Sequence, residues 1–174
     1  PQNILVKHYS LGIGGLYNQA QKNYNAANDL LTGSVYNVSF PILASVDDEH
    51  RLKRVFRRFI RIKALLIFPM FMGIILVAES FMHLLGEQWL DAAPILQLLA
   101  VSGILSGLET ANGDILRIKG KSGIILYLTV FQAAMMLAAI GIPVILKLGY
   151  IYYIAGIVTT YFIRYIVSSI ISQK

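Results

Sequence analysis

The sequence predicts an all-α integral membrane bundle, with about five full transmembrane helices and, ahead of them, the end of a truncated one. Three observations predict it. The first is composition: 56% of the 174 residues are hydrophobic, mean hydropathy is +0.64, and only 14% are charged. Soluble domains run at about 45–50% apolar and about 25% charged. A single core of this size cannot bury so much apolar surface, so lipid must cover part of it. The second is the presence of long apolar runs, and the third is the way basic residues alternate between the connections.

Residues 1–10, "PQNILVKHYS", read as the tail of a segment that began earlier. The chain starts at Pro1 with no signal-peptide pattern, so the expectation is a fragment. "GIGG" at 12–15 fits neither a Rossmann nor a P-loop pattern and is read as a turn between helices. Residues 16–45 are long enough to span but rich in Asn, Gln and Tyr. Such a helix should not face lipid all round. Asn25, Asn28, Asp29, Thr32 and Tyr36 follow helical spacing on one broad face. That face suits a water-filled cavity and hydrogen bonds to sugar hydroxyls. A neighbouring helix, or a soluble amphipathic role, would use the same face.

Residues 51–63, "RLKRVFRRFIRIK", hold the densest charge in the chain. Arg51, Arg54, Arg58 and Arg61 recur at helical spacing, and Leu52, Val55, Phe56 and Phe59 form the opposite stripe. The link 46–61 is therefore a basic amphipathic helix of the kind that lies on anionic headgroups and runs into the next span. A nucleic-acid reader would have no use for four apolar spans beside it, so no nucleic-acid partner is expected. "DDEH" at 47–50 caps this helix, since acids suit a helix N-terminus.

Three runs then pass the length test for a hydrocarbon core about 30 Å thick, which takes about 20 helical residues to cross. Residues 64–86 carry only Glu79 and His83 as acidic or basic groups; 123–146 carry none; 148–172 carry only Arg164. Residues 92–116 make a fourth span, with Glu109 and Asp114 near its far end. Pro41, Pro69 and Pro143 lie inside or beside spans, where proline kinks a helix. Connection 46–63 carries seven basic residues and "LGEQWLDAAP" none; 117–121 carries Arg117, Lys119 and Lys121; the next connection has Lys147 alone, and Lys174 ends the chain. Basic residues accumulate in cytoplasmic loops. The alternation places 46–63, 117–121 and the C-terminus on the cytoplasmic side.

Enzyme chemistry finds little support. His8, His50 and His83 have no partner spacing, and there is no cysteine. Neither a metal site nor a cofactor is expected. The polar residues inside the spans are stronger candidates, because burying them in a membrane is costly. Arg164 either snorkels to the cytoplasmic interface or faces a cavity and holds an anion. Glu109, Asn112 and Asp114 line an inner gate or face the headgroups. Glu79 reads as an interfacial or hydrogen-bonded carboxylate.

"LGIGGLYNQAQ", then "VYNVSFPILAS" followed by "DDE", resembles a pattern in polysaccharide flippases. "FPMFMGIILVAESFMHLLGEQW", "AAPILQLLAVSGIL" and "LRIKGK" continue it in order, across nearly the whole chain. The resemblance is to the Wzx-type oligosaccharide flippases, or polysaccharide transporters, of the MOP exporter superfamily. It implies that residues 1–174 form one membrane domain, most of the C-terminal lobe of a two-lobed transporter in the bacterial inner membrane. The implied cargo is an undecaprenyl-diphosphate-linked sugar unit, moved by alternating access. The implied partners are membrane lipid, the N-terminal lobe of the same protein and, as a further candidate, the polysaccharide polymerase machinery. Lys7, Lys22 and Arg164 are the candidate cations for the diphosphate. No nucleotide-binding motif is present. The rival readings are a multidrug or lipid II exporter of the same superfamily, and a membrane-embedded transferase or scaffold of the same pathway.

Overall fold

The computed structural model describes residues 11–46, 48–146 and 149–172. They form five long helices: α1 (Leu11–Ala44), α2 (Glu49–Leu85), α3 (Ala93–Ile118), α4 (Ser122–Ile145) and α5 (Tyr150–Ser172). A short 3-10 helix, Glu87–Ala92, joins α2 to α3. No strand occurs among the described residues. Four of the helices are long and apolar enough to cross a membrane; α1, although 34 residues long, is not one of them. The chain is a multi-pass membrane protein.

The junctions follow from local chemistry. The Asp48 carboxylate accepts the Arg51 amide at 2.8 Å and caps α2, as the acids of "DDEH" suggest; Asp47 lies outside the described residues. Gly86 ends α2 at φ 126°, a conformation a side chain resists, and a Cβ there would lie 2.7 Å from the Gln88 side chain. Pro94 sits in the first turn of α3, where its missing N–H costs nothing. Gly120, at φ 70°, turns α3 into α4 while the Lys121 amide returns to the Leu116 carbonyl at 2.8 Å.

Two apolar clusters fix the direction of every helix. One joins Tyr17 and Ala20 of α1, Ala78 and Met82 of α2, Ile95 and Leu96 of α3, Ile140 of α4, and Tyr153 and Ile154 of α5. The other joins Leu43, Leu52, Ile115, Leu116 and Leu128, with Ile171 packed against them. Each cluster takes the start of one helix and the end of the next. The helices therefore run up and down in alternation, and the basic stretches 51–63 and 117–121 share one end of the bundle. This is the arrangement that charge alternation requires.

Helix α3 is the axis: it packs on α1, α2 and α5, while α4 packs chiefly on α5. In the most apolar stretch of each helix, 56% of α3 is buried but only 11% of α4. Large apolar side chains therefore face outward from the peripheral helices, among them Leu65, Leu76 and Leu84 of α2 and Leu126, Leu137 and Ile145 of α4. Between lipid-facing helices there is no hydrophobic drive to associate, so close packing at small residues carries the contact. Gly156 brings α5 against the α4 backbone, where a Cβ would sit 3.0 Å from the Ala139 carbonyl oxygen, and Gly103 and Gly107 make room for side chains of α2. A Cβ on Gly103 would sit 2.4 Å from the Phe71 ring, and one on Gly107 2.7 Å from Ile67.

Two sequence expectations are corrected. "GIGG" is not a turn: residues 12–15 are helical, inside α1. A glycine costs a helix about 1 kcal/mol relative to alanine, and here tertiary packing outweighs that, because Ile13, Leu16, Tyr17 and Ala20 all join the first cluster. The stripe Leu52, Val55, Phe56 and Phe59 is covered in part by protein, since it packs against Ile115, Leu116 and Leu128. Basic link and span form one helix of 37 residues, about 55 Å long, well beyond the roughly 30 Å of hydrocarbon.

Gly103→Ala should destabilise the full-length protein by about 1–3 kcal/mol through overpacking, read as a lower melting temperature in detergent. Adding Phe71→Leu should recover part of the loss, and no recovery would mean that the ring contact is not the cause. For topology, single cysteines at Lys119 and Glu87 in a cysteine-free background should be labelled from opposite sides, Lys119→Cys from the cytoplasm. Labelling of both from one side would overturn the alternation.

Candidate functional site

Polar side chains inside an apolar bundle need partners, and α3 supplies them because it is the helix least exposed to lipid. Arg164 of α5 donates from Nε to Glu109 Oε1 of α3 at 3.0 Å. Its terminal nitrogen also donates to the Gln132 carbonyl oxygen of α4. The two charged side chains are 18% and 14% exposed, so most of the pair is out of solvent. Sequence spacing left Arg164 either snorkelling or facing a cavity; the guanidinium instead ties three helices together. Gln132 was missed because a lone glutamine in an apolar run has no motif around it. The signal was available only as a question about which residue would satisfy Arg164.

One turn further along α3, Asn112 is buried. Its amide nitrogen donates to Ser168 Oγ at 3.1 Å, and Ser172 Oγ donates to its carbonyl oxygen at 3.3 Å. On another face, Lys63 of α2 donates to Thr110 Oγ1 at 2.6 Å and lies 5.8 Å from the centre of the Phe59 ring. Lys63 is only 7% exposed, so it differs in kind from the arginines before it, although by sequence all seven read as one basic run. Asp114 is also buried and pairs with Arg117 at 3.8 Å. Glu109, Asn112, Thr110 and Asp114 thus send polar groups from one stretch of α3 toward α5 and α2.

The candidates on α1 lie apart from this network. Asn25 and Asp29 are exposed, Asn28 is half-buried, and Asn25 accepts from Gln21 at 3.0 Å. Thr32 and Tyr36 lie within α1, but their side chains fall outside what the structure describes. Lys22 is exposed on the same helix, and Lys7 lies outside the described residues. The structure therefore brings together Glu109, Asn112 and Arg164 on α3 and α5, and leaves the α1 face as a separate surface.

The basic helix presents Arg51, Arg54, Arg58 and Arg61 to the outside, and Arg54, Arg57, Arg58 and Arg61 line a shallow groove of about 370 Å³. A deeper cleft of about 470 Å³ lies where α2, α3 and α5 meet. Its lining includes Lys53 and Arg57 on one side and Asn112, Ser169 and Ser172 on the other. Glu79 is exposed near the opposite end of α2.

The polysaccharide biosynthesis protein family matches residues 2–94, just over half of the chain. The chain is 29% identical over 163 residues to the teichuronic acid biosynthesis protein TuaB of Bacillus subtilis, a match covering 90% of this chain and 34% of that protein. It is 30% identical over 146 residues to the lipopolysaccharide biosynthesis protein WzxC of Escherichia coli, covering 79% and 28%. It is also 30% identical over 113 residues to the succinoglycan biosynthesis transport protein ExoT of Rhizobium meliloti, covering 63% and 23%. The chain spans about a third or less of the length of these relatives. No solved structure matches it significantly. With the family match over α1 and α2 and relatives aligned across nearly all of the chain, the protein belongs to the polysaccharide biosynthesis protein family, the Wzx-like polysaccharide transporters that its motifs resemble.

Proposed function

We propose that this chain forms most of the C-terminal lobe of a flippase that moves lipid-linked oligosaccharide across the bacterial inner membrane for surface polysaccharide synthesis. The observation that carries the reading is the buried network of Glu109, Gln132 and Arg164 across three spans, in a chain of this family. Ionisable groups inside a membrane are expensive, and they mark transport pathways or the braces around them. The cargo implied by the resemblance has a diphosphate and a hydrophilic glycan, each prohibitive in hydrocarbon. A lobe that moves such cargo by alternating access must shift as one body, and an ion pair joining α3 to α5 with α4 attached makes it one. Arg164 is thereby a brace rather than the anion holder. Asn25, Asn28 and Asp29 offer the polar face for the glycan, on a helix too polar to face lipid all round.

The transferase reading rested on Asp47, Asp48 and Glu49, and the Asp48 carboxylate is engaged as a helix cap. An exporter of another cargo on the same scaffold is separated by substrate. The full-length protein should restore surface polysaccharide in cells lacking their own flippase. Failure of a well-expressed protein across several glycan types would sink the flippase reading. Arg164→Ala strands the Glu109 carboxylate, at a cost of about 3–5 kcal/mol, and should abolish restoration and lower the membrane level. Glu109→Gln with Arg164→Gln removes both charges and should recover the membrane level and part of the activity. A double variant present at the parent level but inactive would show that the pair contacts cargo and is not a brace.

A further inference from the structure

The cleft between α2, α3 and α5 has no part in that reading. Lys53 and Arg57 are four residues apart on α2, one turn of helix, and both are exposed. Arg57 Nε donates to the Lys53 carbonyl at 3.4 Å, which holds the guanidinium along the helix. Phe56 and Ile60, also four apart, give the cleft an apolar wall. Asn112, Ser169 and Ser172 give it a floor of amide and hydroxyl groups, with Asn112 itself 4% exposed and fixed by Ser168 and Ser172. None of these lining residues is acidic. Two cations, neutral donors and an apolar wall in about 470 Å³ suit a phosphate ester that carries a hydrocarbon chain.

Depth decides among the sources of such a ligand. The cleft lies at the end of the bundle that carries the basic connections, and Phe56 in its wall packs on the same cluster as Leu128, five residues into the apolar run of α4, while Lys53 and Arg57 precede the apolar run of α2. That combination is the edge of the apolar region on the basic side, where anionic phospholipid headgroups collect. A soluble phosphate would have no use for Phe56 and Ile60. The arginine groove farther round α2 has the charge but none of the polar floor. We infer that this cleft binds the headgroup of an anionic phospholipid, held by Lys53 and Arg57 over Asn112, Ser169 and Ser172. The bound lipid straps the cytoplasmic extension of α2 to the end of α5.

The test is native mass spectrometry of the purified full-length protein with phosphatidylglycerol, phosphatidylcholine, undecaprenyl phosphate and inorganic diphosphate as probes. Phosphatidylglycerol should be retained about tenfold over phosphatidylcholine, the factor lost with one charge-assisted hydrogen bond. Lys53→Gln with Arg57→Gln should reduce retention by a similar factor. Arg51→Gln with Arg58→Gln, an equal charge loss on the same helix, should change it by less than about threefold, since diffuse surface attraction is weak per charge. Ser169→Trp fills the cleft without altering charge and should act like the first pair. Equal loss in both charge variants, or unchanged retention in Ser169→Trp, overturns the site. Tighter binding of undecaprenyl phosphate or of inorganic diphosphate than of phosphatidylglycerol overturns the assignment to bulk phospholipid. Because flipping is not read, failure here is distinct from failure of the flippase reading.

Discussion

An arginine eight residues from the end of an apolar span has to be neutralised where it stands, and much of the architecture can be understood from that need. An isolated charge in a low-dielectric medium is costly, and two oppositely charged groups in good geometry offset most of the cost. Arg164 therefore demands a carboxylate at its own depth on a neighbouring helix. Glu109 provides it, and Gln132 satisfies a further N–H. That requirement draws α4 and α5 to α3 at one level, fixing which faces of the three helices turn inward. Replacing a buried pair by well-packed apolar residues is often neutral or stabilising, so such a pair matters more through the cost of breaking it than through its net stability.

The same logic explains why α3 carries the polar side chains while its neighbours carry bulky apolar ones. A helix wrapped by α1, α2 and α5 meets protein instead of lipid, so Ser102, Asn112 and Asp114 can all be buried there. Its serines and threonines use backbone carbonyls of their own helix, as Ser102 does with Leu99 and Thr110 with Gly107. Gly103 and Gly107 make room for the Phe71 and Ile67 side chains of α2. Small residues and polar groups thus hold the helices together where the hydrophobic effect gives no preference between protein and lipid.

The spans were legible in the sequence because length and hydropathy are local properties, and the direction of each helix was legible because charge alternates along the chain. What remained hidden was everything set by tertiary contact. Gly12, Gly14 and Gly15 look like a turn until Ile13, Leu16 and Tyr17 find their cluster. Lys63 looks like the last of seven surface cations until Thr110 and Phe59 enclose it. The apolar stripe of the basic helix fits a bilayer surface and a protein groove equally well, and periodicity cannot tell which will cover it. Arg164, Glu109 and Asn112 were identifiable as expensive residues, but which partner each finds depends on helix rotation, which the sequence does not specify.

Helix α2 joins the two regimes. Its C-terminal part presents Leu65, Leu76 and Leu84 outward, while its N-terminal part presents exposed arginines. Because the helix is unbroken between them, a push on the basic end is transmitted along its axis instead of being lost in a loop. Pro69 stands inside it, where a missing hydrogen bond lets the axis bend. The basic end is also seated on the ends of α1, α3 and α5 through the second apolar cluster. A charged segment continuous with a span and packed on the axial helix gives the basic end of the bundle a mechanical connection to the polar network. That connection runs from Leu52 and Phe56 to Ile115 of α3, three residues from Asn112, whose amide donates to Ser168, one turn of α5 from Arg164.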